Sequence, residues 1–392
     1  MSKMRRHLPV FHDVPGASVL VMGGGARVTV VAKEFSPAVE ERAARGDLMV
    51  LRMSEAGCKE LKKCGMMRQT EAGVFAVRLH VVGGRLSTPQ LRAIQDAADR
   101  FGRGEIHLTS RQGVEIPYVP QGALAAVKEF LAPSGVGVGV CGPTVRTVTA
   151  CQGCRVCPGG VIDSPELAEA VDRELYGKPV PHKFKVGISG CVNNCMKAEE
   201  NDAGIKGWIE PRWEAPACTF CGVCQAVCPM KAISTSGDGG ALIVDPTLCI
   251  GCGDCITSCP TGSMREKGRG YRIFAGGKFG RRPSLGRRIL GVLRTKEEAM
   301  AAILAVLDFF REHGKPRERF GDTLQRTGLP ALESFVKVKM GLQRVPPLGT
   351  LTVRRKEEAL KNVISSLKAE GHRVTNVARE EGVFLLEVTK GG

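Results

Sequence analysis

The chain has 392 residues, 43% of them hydrophobic and 24% charged. That is enough for two or three domains and excludes a disordered or fibrous protein. Aromatics make up only 5%, so the core must be aliphatic, and no apolar run approaches the roughly 20 residues of a membrane helix. The formal charge of +16 would suit a nucleic-acid surface. Its basic residues, however, are spread along the chain with no aromatic-interleaved stripe and no helix-turn-helix or zinc-finger spacing, which argues against that partner.

The start, MSKMRRHLPVFHDVPG, is basic and has no apolar stretch of signal-peptide length behind it, so the expected location is the cytoplasm. Residues 18–22 and 28–32 read as short strands joined by Gly23-Gly24-Gly25. Those glycines lack the G-x-G-x-x-G or G-K-[ST] context of a phosphate loop and are expected to turn the chain. A helix is expected over 36–46, with Ser36 as N-cap, Pro37 at the first position and Gly46 as its stop. The role of residues 1–50 is not legible.

The next segment is clearer. VFAVRLHVV (74–82) alternates as a strand, and Gly83-Gly84 turns the chain. Ser87-Thr88-Pro89 caps a helix that runs to about Phe101. Residues 106–110 and 114–119 form an expected hairpin around Arg111-Gln112-Gly113, and a second helix follows from Gln121 to Leu131. This β-α-β-β-α order predicts an α+β half-domain of ferredoxin-like topology over 51–140. Texture changes near Trp208 to Pro216. Residues 214–265 look like an insertion that divides a second domain into 141–213 and 266–345. After it come a strand at YRIFAGG and helices at 295–313 and 318–328. Val345-Pro346-Pro347-Leu348-Gly349 reads as a linker. It leads to a small C-terminal element, 346–392, with a strand, a helix over 355–370 and strands at 372–378 and 383–389.

Cysteine carries the chemistry. Of sixteen in the chain, twelve fall into three sets: Cys151/Cys157 (C-x5-C) with Cys191/Cys195 (C-x3-C), then two runs of C-x2-C-x2-C-x3-C-P. The runs are Cys218, Cys221, Cys224, Cys228 with Pro229, and Cys249, Cys252, Cys255, Cys259 with Pro260. Without an export signal these spacings read as metal–thiolate ligation and not disulfides. The double run is the bacterial ferredoxin signature, in which the fourth Cys of each run ligates the other cluster. Cys218, Cys221, Cys224 and Cys259 therefore make one 4Fe–4S site, and Cys249, Cys252, Cys255 and Cys228 the other. Zinc ribbons, which favour two separated knuckles, fit this spacing poorly. By spacing alone the Cys151/Cys157/Cys191/Cys195 set is a four-thiolate site for either zinc or a cluster. Of the remaining cysteines, Cys141 is expected in the core and Cys154 in a structural role. Cys58 and Cys64 form a further C-x5-C pair whose role is open.

The flanking residues decide between zinc and a cluster. GVFAVRLHVVGGRLS, HLTSRQGVEI, GPTVRTVTAC and HKFKVGISGCVNNC, in that order, resemble the siroheme-dependent nitrite and sulfite reductases. With the inserted ferredoxin module, the resemblance is to anaerobic and dissimilatory-type sulfite reductase subunits. It covers roughly 50–345 and implies the nitrite/sulfite reductase fold, with three 4Fe–4S clusters and siroheme as cofactors. Cys151, Cys157, Cys191 and Cys195 would hold the siroheme-linked cluster, Cys195 as the bridging ligand. Arg146, Lys183 and Lys185 would bind substrate. Arg78, Arg111, Gln112 and Asn194 would lie against siroheme. Where the family often has R-x-R before the Gly-Gly turn, this chain has Arg78 and His80, so a titratable group replaces a permanent charge.

The implied reaction is six-electron reduction of sulfite to sulfide. Nitrite reduction to ammonium is the alternative, and a non-catalytic electron-transfer subunit is a third reading. Electrons would enter through the 214–265 module from a ferredoxin or dedicated redox subunits. Because the chain carries one cluster-binding half, it would pair with itself or a related subunit.

Overall fold

The computed structural model describes Ser18–Met22, Thr29–Ala32, Leu48–Val50, residues 55–342, Leu348–Val353, 364, 365, 368, His372–Glu380 and Val383–Lys390. The helix expected over 36–46 lies outside these residues, as does most of the one expected over 355–370. The chain divides into two compact units, Met1–Thr327 and Gly328–Gly392.

In the first unit, strands β1 (Ser18–Met22), β2 (Thr29–Ala32) and β3 (Leu48–Val50) form an antiparallel sheet in the order β2-β1-β3. Helix α1 (Glu55–Lys63) leads to β4 (Met66–Arg68) and β5 (Val74–His80). Helix α2 (Thr88–Phe101) starts at a complete capping box, in which Ser87 accepts from the Gln90 amide and Gln90 reaches back to the Ser87 amide. β6 (His107–Leu108), β7 (Val114–Pro120) and α3 (Leu124–Leu131) complete the half-domain. Its sheet runs β4-β5-β7-β6, and β8 (Gly137–Val138) pairs with β5. Val77, Leu79, Ile94, Ile116, Val127 and Leu131 fill the space between sheet and helices. They come from alternate strand positions and one face of each helix, which makes the pattern legible in the sequence.

The second sheet runs β15-β14-β11-β10-β9. β9 (Thr149–Ala150), β10 (Val186–Ser189) and β11 (Ala203–Trp213) are parallel, whereas β14 (Met264–Ala275) and β15 (Arg287–Leu293) join antiparallel. Helix α4 (Ser164–Leu175), not expected from the sequence, lies in the crossover between β9 and β10. Parallel neighbours need such a crossover. This part is therefore mixed α/β, a correction to the α+β expectation. Helices α7 (Lys296–His313) and α8 (Phe320–Thr327) follow.

β11 and β14 pair along their length, from Ala203 opposite Ala275 to Trp213 opposite Met264. The segment with the two cysteine runs is thus carried at the open end of a long antiparallel pair. Within it lie α5 (Val223–Ala226), β12 (Ile233–Thr235), β13 (Leu242–Val244) and α6 (Asp254–Thr257), with β12 and β13 paired.

In the second unit, α9 (Leu329–Lys339) is followed by β16 (Leu348–Val353), β17 (His372–Glu380) and β18 (Val383–Lys390), in the sheet order β16-β18-β17. Leu348 and Gly349, read as linker, already belong to β16.

Glycine is required where β11 passes the cysteine loop. A Cβ on Gly207 would stand 2.1 Å from the Gly190 carbonyl oxygen, which is backbone and cannot turn aside. Gly207→Ala should cost about 1–3 kcal/mol or more, lowering Tm by roughly 5 °C. Gly237→Ala, with nothing within 4 Å, should leave Tm unchanged in the same calorimetric scan.

Candidate functional site

Four segments converge on a basic cluster beside the first cysteine set. The first is the turn between β6 and β7. Thr109 and Gly113 close it, the Thr109 amide donating to the Gly113 carbonyl at 2.8 Å, and Gln112 adopts φ +57 at its tip. Its side chains then grip both cysteine loops. Gln112 bonds the amide and carbonyl of Ala150, next to Cys151, at 2.9 and 2.8 Å. Arg111 donates to the Asn201 side-chain oxygen at 2.6 Å and to the Thr147 carbonyl at 3.3 Å. Asn201 in turn donates to the carbonyls of Met196 and Lys197, just past Cys195.

The second and third segments run side by side. Residues 144–146 pair with 183–185, the Phe184 amide donating to the Thr144 carbonyl at 3.1 Å and the Arg146 amide to the Phe184 carbonyl at 2.8 Å. This register sets Arg146 beside Lys183 and Lys185. The guanidinium of Arg146 donates to the carbonyls of Val140 and Gly142, at 2.6 and 3.1 Å, and its Nε is buried without a partner among the described residues. The ammonium groups of Lys183 and Lys185 likewise have no hydrogen-bond partner there. Phe184, between them, is fully buried against Phe310 and Phe320, at 5.9 and 5.6 Å between centroids.

The fourth segment supplies the counter-charge. Asp202 is fully buried; its carboxylate accepts the Lys185 amide at 3.0 Å and the Arg319 guanidinium at 3.1 and 3.2 Å. Burial pushes this carboxyl up, against the pull of Arg319 and Lys185. The donors on both oxygens satisfy its ionised form. Neither Asp202 nor Arg319 stands out in the sequence. Each belongs to no motif, and only the fold brings them together.

The electrostatics follow from crowding like charges in a half-buried place. Burial, with Arg111 and Lys183 nearby, lowers Lys185 to about 8. Burial, then Arg319 and Arg146, lowers Lys183. Burial holds Arg111 down at about 10, with Arg146, Arg78 and Arg319 acting in the same direction against Asp202.

Other expected site residues are engaged differently. Arg78 pairs with Glu115 at 2.6 Å and donates to the buried Cys141 sulfur at 2.9 Å. His80 bonds the buried Asp172 at 2.7 Å and stacks on Tyr176 at 3.8 Å, so its ring is held by a carboxylate that also caps the Val148 amide. Asn194, at φ +57, folds the Cys191–Cys195 loop: its oxygen accepts from Ala198 at 2.7 Å and its amide donates to Glu199.

The thiols gather as sets. Burial pushes the Cys191 thiol up, and Cys151, Cys195 and Cys157 push the same way, so Cys191 lies within range of the charge of the other three. In the inserted segment one concavity is lined by Cys228, Cys249, Cys252 and Cys255. A second is lined by Cys218, Cys221, Cys224 and Cys259. The fourth cysteine of each run has crossed to the other set. Burial pushes Cys255 up to about 12, with Cys252, Cys249, Cys224 and Cys228 adding to it. Among the described residues no three His, Cys, Asp or Glu side chains are gathered closely enough to hold a single metal ion.

Residues 141–343 match the family described as nitrite and sulphite reductase 4Fe-4S domain, and residues 67–134 the nitrite/sulfite reductase ferredoxin-like half domain. The chain belongs to the nitrite and sulphite reductase family. It is 32% identical over 271 residues to the coenzyme F420-dependent sulfite reductase of Methanocaldococcus jannaschii, covering 68% of this chain and 43% of that one. It is 30% identical over 175 residues to one subunit of the anaerobic sulfite reductase of Salmonella typhimurium, covering 41% of this chain and 51% of that one. The chain thus spans well under two thirds of either relative's length. The crystal structure of dissimilatory sulfite reductase I shares the fold, with a TM-score of 0.55 at 20% identity over 75% of this chain and 78% of that one. Among the described residues no helix is long and apolar enough to cross a membrane.

The lowered Lys185 fixes a pH dependence. In the fold its charged form is disfavoured, a penalty complete below about 8 that fades as pH rises towards 10.5. Its attraction for an anion belongs to the same charged form and is likewise lost as pH rises through about 8. Sulfate, whose charge is constant over this range, should bind about tenfold more weakly at pH 9 than at pH 7. Lys185→Arg should flatten the profile in a titration by calorimetry.

Proposed function

We propose that this chain is the siroheme-bearing catalytic unit of a sulfite reductase, converting sulfite to sulfide with six electrons. The observation that carries this is the cationic cluster of Arg111, Arg146, Lys183 and Lys185, bonded through Arg111 and Asn201 to the loop of Cys195. Crowded cations, two of them ammonium groups without a hydrogen-bond partner among the described residues, call for anions, and both a carboxylate-rich macrocycle and a small oxyanion are anions. The donor sets fit as well: four thiols suit a 4Fe–4S cluster. Siroheme joined to such a cluster would supply electrons one at a time and an iron on which a small anion can be reduced.

Cys151, Cys157, Cys191 and Cys195 would hold that cluster, and Cys195 would tie it to siroheme. Cys218, Cys221, Cys224 and Cys259 hold a second, and Cys249, Cys252, Cys255 and Cys228 a third, making 214–265 a two-cluster ferredoxin module. It receives electrons from a ferredoxin or a dedicated redox subunit. Arg146 and Lys183 hold the oxyanion and stabilise charge as oxygen departs. Each oxygen leaves as water and takes up two protons. Lys185, lowered to about 8, is still mostly protonated at neutral pH but gives its proton up more readily than an ordinary lysine, and can be recharged from solvent. Arg111 and Gln112 fix the half-domain turn against both cysteine loops. The remaining divisions are a half-domain over 51–140, a second domain over 141–213 and 266–345, and a C-terminal element over 346–392. Like the Salmonella relative, whose name makes it part of a larger enzyme, the chain would work in an oligomer in the cytoplasm.

Anaerobic protein supplied with reduced methyl viologen should form sulfide from sulfite faster than ammonium from nitrite. Preferential ammonium would replace the reading with nitrite reduction. A preparation with iron–sulfur absorbance and no siroheme bands would make the chain an electron-transfer protein. Cys195→Ser should abolish turnover while the 218–259 clusters remain visible by electron paramagnetic resonance; full activity in that variant would sink the assignment.

A further inference from the structure

Arg319 is held unusually firmly for a residue outside the sequence motifs. It stands directly before α8, and the next residue, Phe320, is fully buried against Phe184 and Phe310, at 5.6 and 5.3 Å between centroids. Phe184 is the residue between Lys183 and Lys185. One three-ring core therefore anchors both the lysine segment and Arg319. The guanidinium reaches both oxygens of Asp202, whose carboxylate also accepts the Lys185 amide. The Arg319 side chain is 14% exposed, and its Nε is buried without a partner among the described residues. Its charge acts on His182, Lys183, Lys185 and Arg111 alike.

We propose that Arg319 sets the charge selectivity of the cluster, by cancelling Asp202 so that Arg111, Arg146, Lys183 and Lys185 act on the ligand undiminished. The inference rests on the sulfite reading above and names what makes that site favour a dianion. Without Arg319 the buried carboxylate, left with the Lys185 amide and the Lys185 charge to keep it ionised, would offset one of those four cations. With it, the five cations and one carboxylate leave an excess of four. Coulomb attraction scales with the charge on the ligand, so each unit of excess favours fully ionised sulfite, with two charges, over nitrite, with one. Arg319 acts through Asp202 and is a positioning residue for the cluster's field.

The test compares wild type, Arg319→Gln, Asp202→Asn and the double variant, each checked for folding by circular dichroism. Two readouts are taken: KM and kcat for sulfite and nitrite, and binding of sulfate and nitrate to protein prepared without siroheme. Arg319→Gln should raise KM for sulfite and weaken sulfate binding about tenfold or more. KM for nitrite and nitrate binding should change less than about threefold, and kcat for nitrite should hold. The double variant again has an excess of four and should recover the sulfate-over-nitrate preference; it also covers the case in which Arg319→Gln fails to fold around an unpaired Asp202. Equal weakening of both anions, an unchanged preference in Arg319→Gln, or a double variant without recovery would each overturn the proposal. If wild type reduces neither anion the sulfite reading fails, while the sulfate and nitrate titration still decides the role of Arg319.

Discussion

The buried carboxylate of Asp202 is the constraint on which the site depends. It accepts the amide of Lys185 and the guanidinium of Arg319, and the backbone carbonyl of Asp202 accepts the amide of Gly276. Three stretches distant in sequence are thus tied at one residue, at the start of β11. A lone buried carboxylate is costly and is kept only where its oxygens are satisfied. Here the satisfying groups are those that define the basic cluster. This pairing also accounts for so many cations in a half-buried place: one carboxylate compensates locally, and the rest of the charge remains for bound anions.

The cysteine loops follow the same logic. Cys151 accepts the Gly190 amide at 2.9 Å, so one thiol position is fixed by the backbone that leads into Cys191. Asn194 turns the Cys191–Cys195 loop by taking a left-handed conformation and bonding its own neighbours. The loops are held by these backbone and side-chain bonds, and the hairpin turn of the half-domain braces them from outside through Arg111 and Gln112.

How much of the fold the sequence discloses follows from how local each signal is. The strand at 74–80, the capped helix after Ser87 and the hairpin around Arg111 depend on nearest neighbours and are legible. So is the crossed pairing of the two cysteine runs, because it is a property of spacing. Helix α4 is not: its short apolar stripe sits between cysteine loops whose spacing dominates the segment. Asp202 and Arg319 are hidden for a stronger reason. A single acidic and a single basic residue far apart have no pattern, and their meaning comes only from the register of β10 with β11 and the packing of Phe184 on Phe320. His80 marks the opposite limit. Its chemistry suggests a role towards substrate, and the partners that hold its ring, Asp172 and Tyr176, come from the fold alone.

The inserted segment lies outside the sheet and is still tied to it. It hangs from the end of β11 and β14, so the sheet closes without it. Yet Arg288 in β15 donates to the carbonyls of Cys249 and Thr247, the former at 3.1 Å, and the Ile209 amide donates to the Gly251 carbonyl at 3.0 Å. A Cβ on Gly251 would fall 2.4 Å from the Trp208 ring, and on the adjacent Gly207 it would strike Gly190, the residue before Cys191. Glycine on both sides of one buried indole thus brings the Cys249 loop and the Cys191 loop to either side of the same strand. The other concavity, with the exposed Cys221 and with Phe220 46% exposed, has no such contact with β15 among the described residues. One thiol set is therefore fixed to the core and the other faces outward. That asymmetry arises from the choice of glycine at two positions and one arginine, none of which ligates anything.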